Sequence, residues 1–234
     1  VSEVQLAVPP SLKNKIDYFR FNNINSSSTK VFLSETQKKK TVGIIETNQN
    51  SQTLNFDSGN YFVEKALKTN FEIKKNSFDK ILDKEIKLLF VDDQFINYDE
   101  SIEELEKWIN DGGTLVKFAG ENFIKDIESL SHKKLRSAFS LTGKKISIGG
   151  KLSLKQSLNL LEVSDESPLH GLEIPNEIEI TKYIESSPSS SYRNINVWLR
   201  LENGTPLISS ISQSKGQIIL FPVSYTHLTL PTIF

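Results

Sequence analysis

The chain has 234 residues, 28 of them basic and 29 acidic, with a net charge of -1 and 37% hydrophobic content, enough length and apolar material for one good-sized core. The charge balance excludes the basic footprint of a nucleic-acid binder. No apolar run approaches the ~18 to 20 residues of a membrane crossing, and no charged-then-apolar leader opens the sequence, so this stretch is expected neither to span a bilayer nor to carry a signal peptide. Cysteine is absent, which removes disulfides, thiolate metal sites and any cysteine nucleophile.

Methionine is absent too, including at position 1, so the chain is expected to be cut from a longer protein. Residues 4–8, 16–21 and 30–33 suit short strands, read as the end of a preceding β module over residues 1–37. The lysines at 38–40 read as a solvated edge before Thr41-Val42-Gly43-Ile44-Ile45, a short β-branched run of the kind that forms a buried parallel strand. Phe62, Val63, Ala66 and Leu67 then recur at helical spacing, with Asn70 as a stop. A short strand is expected at 71–73, a helical turn or two at 78–82, and the central strand at 86–91. Ser101-Ile102-Glu103-Glu104 has the capping-box pattern, in which hydroxyl and carboxylate satisfy each other's backbone N–H groups. The helix it opens has an apolar stripe of Ile102, Leu105, Trp108 and Ile109 and ends at Gly112-Gly113, where positive φ is available. Thr114-Leu115-Val116-Lys117-Phe118 closes a β-α-β unit.

Beyond Gly120, residues 121–130 suit a helix, while 146–154 and 178–184 alternate apolar and polar as half-buried strands do. Gly149-Gly150 reads as a bend or bulge and 186–191 as a polar loop. Two runs, 197–201 and 206–208, flank Glu202-Asn203-Gly204-Thr205, a strong hairpin signal. A second turn at Lys215-Gly216 leads into a strand at 217–221. Val223-Ser224-Tyr225-Thr226-His227-Leu228-Thr229-Leu230-Pro231-Thr232 resembles, residue for residue, the translated transposon adapter used to prepare sequencing libraries. Residues 222–234 are therefore expected to be an adapter-derived tail that adds little to stability, and His227 is not offered as a ligand. The alternative is a genuine terminal strand built on Tyr225, Leu228 and Leu230.

Chemistry-bearing clusters are few. His132 lies in a lysine-flanked polar stretch and His170 in the turn Ser167-Pro168-Leu169-His170-Gly171, each without a second histidine at metal spacing. There is no G-x-S-x-G elbow, no phosphate loop and no cofactor motif. Asp92-Asp93 is the suggestive pair, because it follows the central strand at its carboxyl end, where open α/β sheets place ligands. Gly120, Glu121 and Asn122 end the neighbouring strand and are expected to share that crevice. The bland reading is a solvated loop leading into the capped helix. No metal site is expected, since adjacent carboxylates on extended backbone tend to point apart and a hard cation takes ~6 to 8 converging oxygens. Replacing both by Asn is accordingly expected to leave stability nearly unchanged.

Leu88-Leu89-Phe90-Val91-Asp92, together with Leu105 and Trp108-Ile109-Asn110-Asp111-Gly112-Gly113-Thr114-Leu115-Val116-Lys117-Phe118-Ala119-Gly120, resembles the glutamine-amidotransferase-like domain of large membrane-anchored bacterial proteins that begin with a BatA-type aerotolerance-regulator domain. Weaker echoes in the same order run from about Leu12 to Phe221, among them Gly149-Gly150-Lys151-Leu152-Ser153 and Trp198 with Asn203-Gly204-Thr205-Pro206-Leu207. The resemblance implies a class I glutamine-amidotransferase-like, flavodoxin-like α/β sheet over residues 38–221. Helices on both faces, C-terminal antiparallel hairpins and a short N-terminal β-module remnant complete it. It also implies a membrane-anchored parent and protein partners in the cell envelope. The true enzymes need a cysteine on the elbow after a strand, activated by a histidine. Here the elbow region reads Phe118-Ala119-Gly120-Glu121-Asn122, so the activity does not follow from the scaffold.

Two functions are compatible with these residues. One is a non-catalytic domain for interaction or sensing, with no catalytic residue and no cofactor. The other is a hydrolase or ligand-processing enzyme using Asp92, Asp93 and Glu121. An enzyme should show a deep pocket with raised carboxyl pKa values there, an interaction domain a shallow, solvated crevice.

Overall fold

The computed structural model describes residues 16–21, 29–32, 40–45, 59–82, 85–93, 102–125, 130–139, 141–147, 158–161, 163, 165, 167–174, 178–180, 182–186, 195–223 and 228–229. Two short strands come first, β1 (Tyr18–Arg20) and β2 (Lys30–Phe32), an antiparallel pair separate from the main sheet. Tyr18, Phe21, Val31 and Phe32 on and beside this pair are exposed.

The apolar runs then alternate with helices. They are β3 (Thr41–Ile45), α1 (Gly59–Leu67), β4 (Glu72–Asn76), α2 (Phe78–Ile81), β5 (Leu88–Val91), α3 (Ile102–Asn110), β6 (Thr114–Phe118), α4 (Glu121–Lys125) and α5 (Leu130–Ala138). Strands dominate the C-terminal part of the chain: β7 (Leu141–Ser147), β8 (Glu179–Ile180), β9 (Lys182–Ser186), β10 (Asn196–Arg200), β11 (Pro206–Gln213), β12 (Gly216–Phe221) and β13 (Leu228–Thr229).

Seven strands form the main sheet in the order β10-β11-β12-β6-β5-β3-β4. From β12 to β4 all neighbours are parallel, while β10, β11 and β12 are joined as antiparallel hairpins. Numbered by their place in the chain, the five parallel strands run second, first, third, fourth, fifth, the order of flavodoxin-type doubly wound sheets. The fold is therefore α/β, with a mostly parallel sheet and C-terminal antiparallel hairpins, as expected.

Period-two alternation sends successive side chains to opposite faces. Leu89, Val91 and Leu115 pack with Phe78 and Ile81 of α2 and with Leu105 and Ile109 of α3. Val116 and Phe118 face the other way, toward Val63 of α1, and the Phe118 and Phe221 rings stack at 4.6 Å across the β6–β12 pair. The stripe expected of α3 is the one observed, with Trp108 half-buried and its indole N–H donating to the Ile86 carbonyl at 3.1 Å. Gly112 ends that helix at a φ of 111°, in the left-handed region. Ser101, the expected cap, lies outside the described residues, as do the expected strand at 4–8, the boundary near Gln37 and the Gly149-Gly150 bend.

Two expectations shift. The region after Gly120 contains a second helix, α5, whose lysine-rich sequence masks its apolar anchor Leu135, buried together with Phe139 just beyond it. The tail is also not wholly detached. Val223 is buried in a cluster with Leu158, Ile180, Tyr183 and Leu199, the Ile184 N–H donates to the Pro222 carbonyl at 2.8 Å, and β13 pairs with β8. Burial asks only for an apolar side chain of suitable size next to a core, whatever encoded it.

Candidate functional site

The carboxyl ends of β5 and β6 lie side by side because these strands are parallel neighbours, with Val91 opposite Lys117. Asp92 and Asp93 follow β5, and Gly120, Glu121 and Asn122 follow β6, so the structure does bring the sequence candidates together. It does not leave the carboxylates in a solvated loop. Asp92 and Asp93 are each 4% exposed, and Lys117, which no sequence motif singles out, is 0% exposed.

The two carboxylates part at once. Asp92 Oδ1 turns back to accept the Asp93 backbone N–H at 2.6 Å. The Asp93 carboxylate crosses to the neighbouring turn, where Oδ1 accepts the N–H groups of Gly120 at 2.6 Å and Phe123 at 3.0 Å, and Oδ2 accepts that of Asn122 at 3.1 Å. These are the donors that the first turn of a helix cannot satisfy internally. Asp93 thus does from the next strand what an N-cap side chain does from its own. Glu121 opens α4, between two of these donors. The expectation that both aspartates can be replaced at little cost does not survive this geometry, since a buried carboxylate with three N–H partners is part of the fold.

Lys117 occupies an inward position of β6 and donates from Nζ to the Asp92 carbonyl at 2.8 Å. Burial lowers its pKa from 10.5 to about 8, against the opposing pull of the Asp93 and Asp92 charges. Asp92 moves the other way, from 3.8 to about 6. Burial is the main cause, opposed by the Asp93 N–H bond and the Lys117 charge and reinforced by the Asp93 charge. A lysine in a central strand covered on both faces was the available signal, since no position there reaches solvent.

These shifts fix a pH dependence. Between pH 3.8 and about 6 the folded chain holds an Asp92 proton that the unfolded chain has lost, so stability falls as pH rises through that window. Between about 8 and 10.5 the unfolded chain holds a Lys117 proton that the folded one has lost, so stability rises with pH. Each arm is worth on the order of 2–3 kcal/mol. Urea unfolding across pH should show a trough between about 6 and 8. Asp92→Asn should flatten its acid arm, and an unchanged acid arm in that variant would refute the assignment.

Chemically, the arrangement places no free nucleophile on the turn after β6, and its backbone donors already hold an anion of the protein's own. Among the described residues no group of three metal-ligating side chains comes together, and no helix is long and apolar enough to cross a membrane. His170 lies away from the crevice, on the rim of a separate cleft, with Nδ1 3.3 Å from Asp165 Oδ1.

No protein-family model matches the chain, and no curated protein matches it in sequence. Solved structures match it in fold. A cytoplasmic protein of Salmonella typhimurium LT2, STM1381, is 12% identical with a TM-score of 0.53, the match covering 79% of this chain and 88% of that one. The N-terminal domain of mmIFT52 is 12% identical with a TM-score of 0.54, over 80% and 88%. A β-galactosidase from Bacillus circulans sp. alkalophilus is 14% identical with a TM-score of 0.54, over 80% of this chain but only 28% of the enzyme. Identities this low establish a shared fold and nothing about activity.

Proposed function

We propose that the chain is a non-catalytic amidotransferase-like domain that serves interaction or sensing in a membrane-anchored bacterial envelope protein. The observation that carries this reading is the use of Asp93. An elbow enzyme of this architecture keeps the turn after the strand open, so that a nucleophile stands there and backbone N–H groups receive the developing oxyanion. Here the turn after β6 carries Gly120, and the N–H groups of Gly120, Asn122 and Phe123 are taken by a buried carboxylate. A negative charge already seated on those donors opposes a second one. The absence of cysteine from the whole sequence agrees with this. The amidotransferase-like assignment, the membrane-anchored parent and the envelope partners come from the sequence resemblance, and the strand order is compatible with it.

The hydrolase reading draws on one observation, the raised pKa of Asp92. Burial is its main cause, and the same burial keeps the carboxyl from a substrate, so the non-catalytic reading is preferred.

Ammonia release from glutamine, measured over a buffer blank, separates the two from true amidotransferase activity. The expected result is no turnover. Release that survives rigorous purification would overturn the proposal.

A further inference from the structure

A cleft of about 580 Å³, separate from the aspartates' turn, is bordered by residues 159–161 and 170–174 and by Ile178. We infer that this cleft docks an extended peptide segment of a partner protein that carries lysine or arginine beside aliphatic side chains. The inference rests on the interaction reading above and gives it a surface.

The wall residues 159–161 run as an added edge along the C-terminal hairpin. Leu160 bridges Leu201, the Leu161 N–H donates to the Arg200 carbonyl at 2.9 Å, and the Glu202 N–H to the Asn159 carbonyl at 3.0 Å. His170, Gly171 and Leu172, which also line the cleft, belong to a tight turn in which Ser167 Oγ accepts the Leu169 N–H at 3.1 Å, the Ser167 carbonyl the His170 N–H at 2.9 Å and the Leu169 carbonyl the Leu172 N–H at 3.0 Å. Both segments are therefore tied by hydrogen bonds before any ligand arrives, which lowers the ordering cost of binding. Leu160, Val163 and Ile174 form an apolar floor continuous with the core cluster beneath. Leu161 and Leu172 stand at the rim, 42% and 60% exposed.

Charge decides the occupant. Asp165 and Glu173 stand at the rim as well, and no lysine or arginine lines the cleft among the described residues. The stretch 157–181 carries six of the chain's 29 carboxylates and none of its 28 lysines and arginines, so the acidic excess is concentrated there. A cationic partner is drawn to this rim and an acidic one repelled, while the apolar floor supplies the affinity. Asp165 and Glu173, the carboxylates that line the cleft among the described residues, are both exposed. That arrangement suits the side chains of a peptide better than a small molecule, which needs a few polar groups placed deep in its site.

The test uses the full chain, labelled with 15N, and two capped peptides, Val-Lys-Leu-Arg-Val and its acidic counterpart Val-Glu-Leu-Asp-Val. The basic peptide is expected to shift amide signals of residues 160–174 saturably in the millimolar range or below. It should bind at least about threefold tighter than the acidic one and weaken several-fold in about 0.5 M NaCl. Asp165→Lys combined with Glu173→Lys, both on exposed side chains, should lower that affinity at least about fivefold without altering the rest of the spectrum. The inference is overturned if those signals do not move, if the acidic peptide binds equally well, or if the double variant binds unchanged. Silence here together with no glutamine turnover would remove the cleft and leave the interaction reading standing. Glutamine turnover would remove that reading whatever the peptides do.

Discussion

Replacing Asp93 by Ala is expected to lower folding stability by about 3–5 kcal/mol, a fall on the order of 10 °C in unfolding midpoint for a chain of this length. The change leaves the N–H groups of Gly120, Asn122 and Phe123 without their acceptor at a site where Gly120 and Phe123 are buried. Each buried, unsatisfied donor costs roughly 1–3 kcal/mol, offset in part because a buried carboxylate has also been removed. Asp93→Asn keeps one acceptor oxygen and should lose about half as much. Urea unfolding of the three proteins at one pH measures this. An Ala variant within about 0.5 kcal/mol of the parent would show that water reaches the turn, and the self-filled donor set would no longer support the non-catalytic reading.

Gly216→Ala should be as damaging, for a steric reason. The hairpin between β11 and β12 docks its tip on the end of α3, with the Lys215 N–H on the Asn110 carbonyl and the Gln217 N–H on that of Gly113. A methyl group at position 216 would overlap the backbone carbonyl oxygens of Ile109 and Gly113. Neither can retreat easily, since the first accepts the Gly112 N–H and the second that of Gln217. The expected loss is about 3–5 kcal/mol. Gly204→Ala is the control. It sits in an open turn with nothing within 4 Å of an added methyl and a φ of 82°, so only the backbone conformation is strained, by about 1–2 kcal/mol. Equal losses at the two positions would mean that the tip of the hairpin yields.

The parallel half of the fold was legible because its signals are local. Short apolar runs give β3, β5 and β6, and the stripe of Ile102, Leu105 and Ile109 with Gly112 behind it gives α3. The site was legible as a juxtaposition, since consecutive parallel strands bring Asp93 and Gly120 to the same edge. The direction of the Asp93 side chain was not, because it depends on donors 27 to 30 positions away that no periodicity reports. Lys117 is hidden for the opposite reason. One lysine among 28 basic residues draws no notice, and only its place within a covered strand marks it as buried.

The position of β12 also bears on how the chain comes to be folded. β6 pairs with β12 from Thr114↔Gln217 to Phe221↔Phe118, partners about a hundred positions apart. At ribosomal speed that separation is on the order of ten seconds, during which β3, β4, β5 and β6 can assemble while one edge of β6 waits. The waiting edge belongs to a largely apolar strand, with Leu115, Val116 and Phe118 in it, and leaves backbone N–H and C=O groups unpaired, the kind of template to which another nascent chain can add a strand. Chains truncated anywhere before β12 keep that edge permanently, so premature termination should yield aggregates or chaperone-bound material rather than a smaller soluble domain.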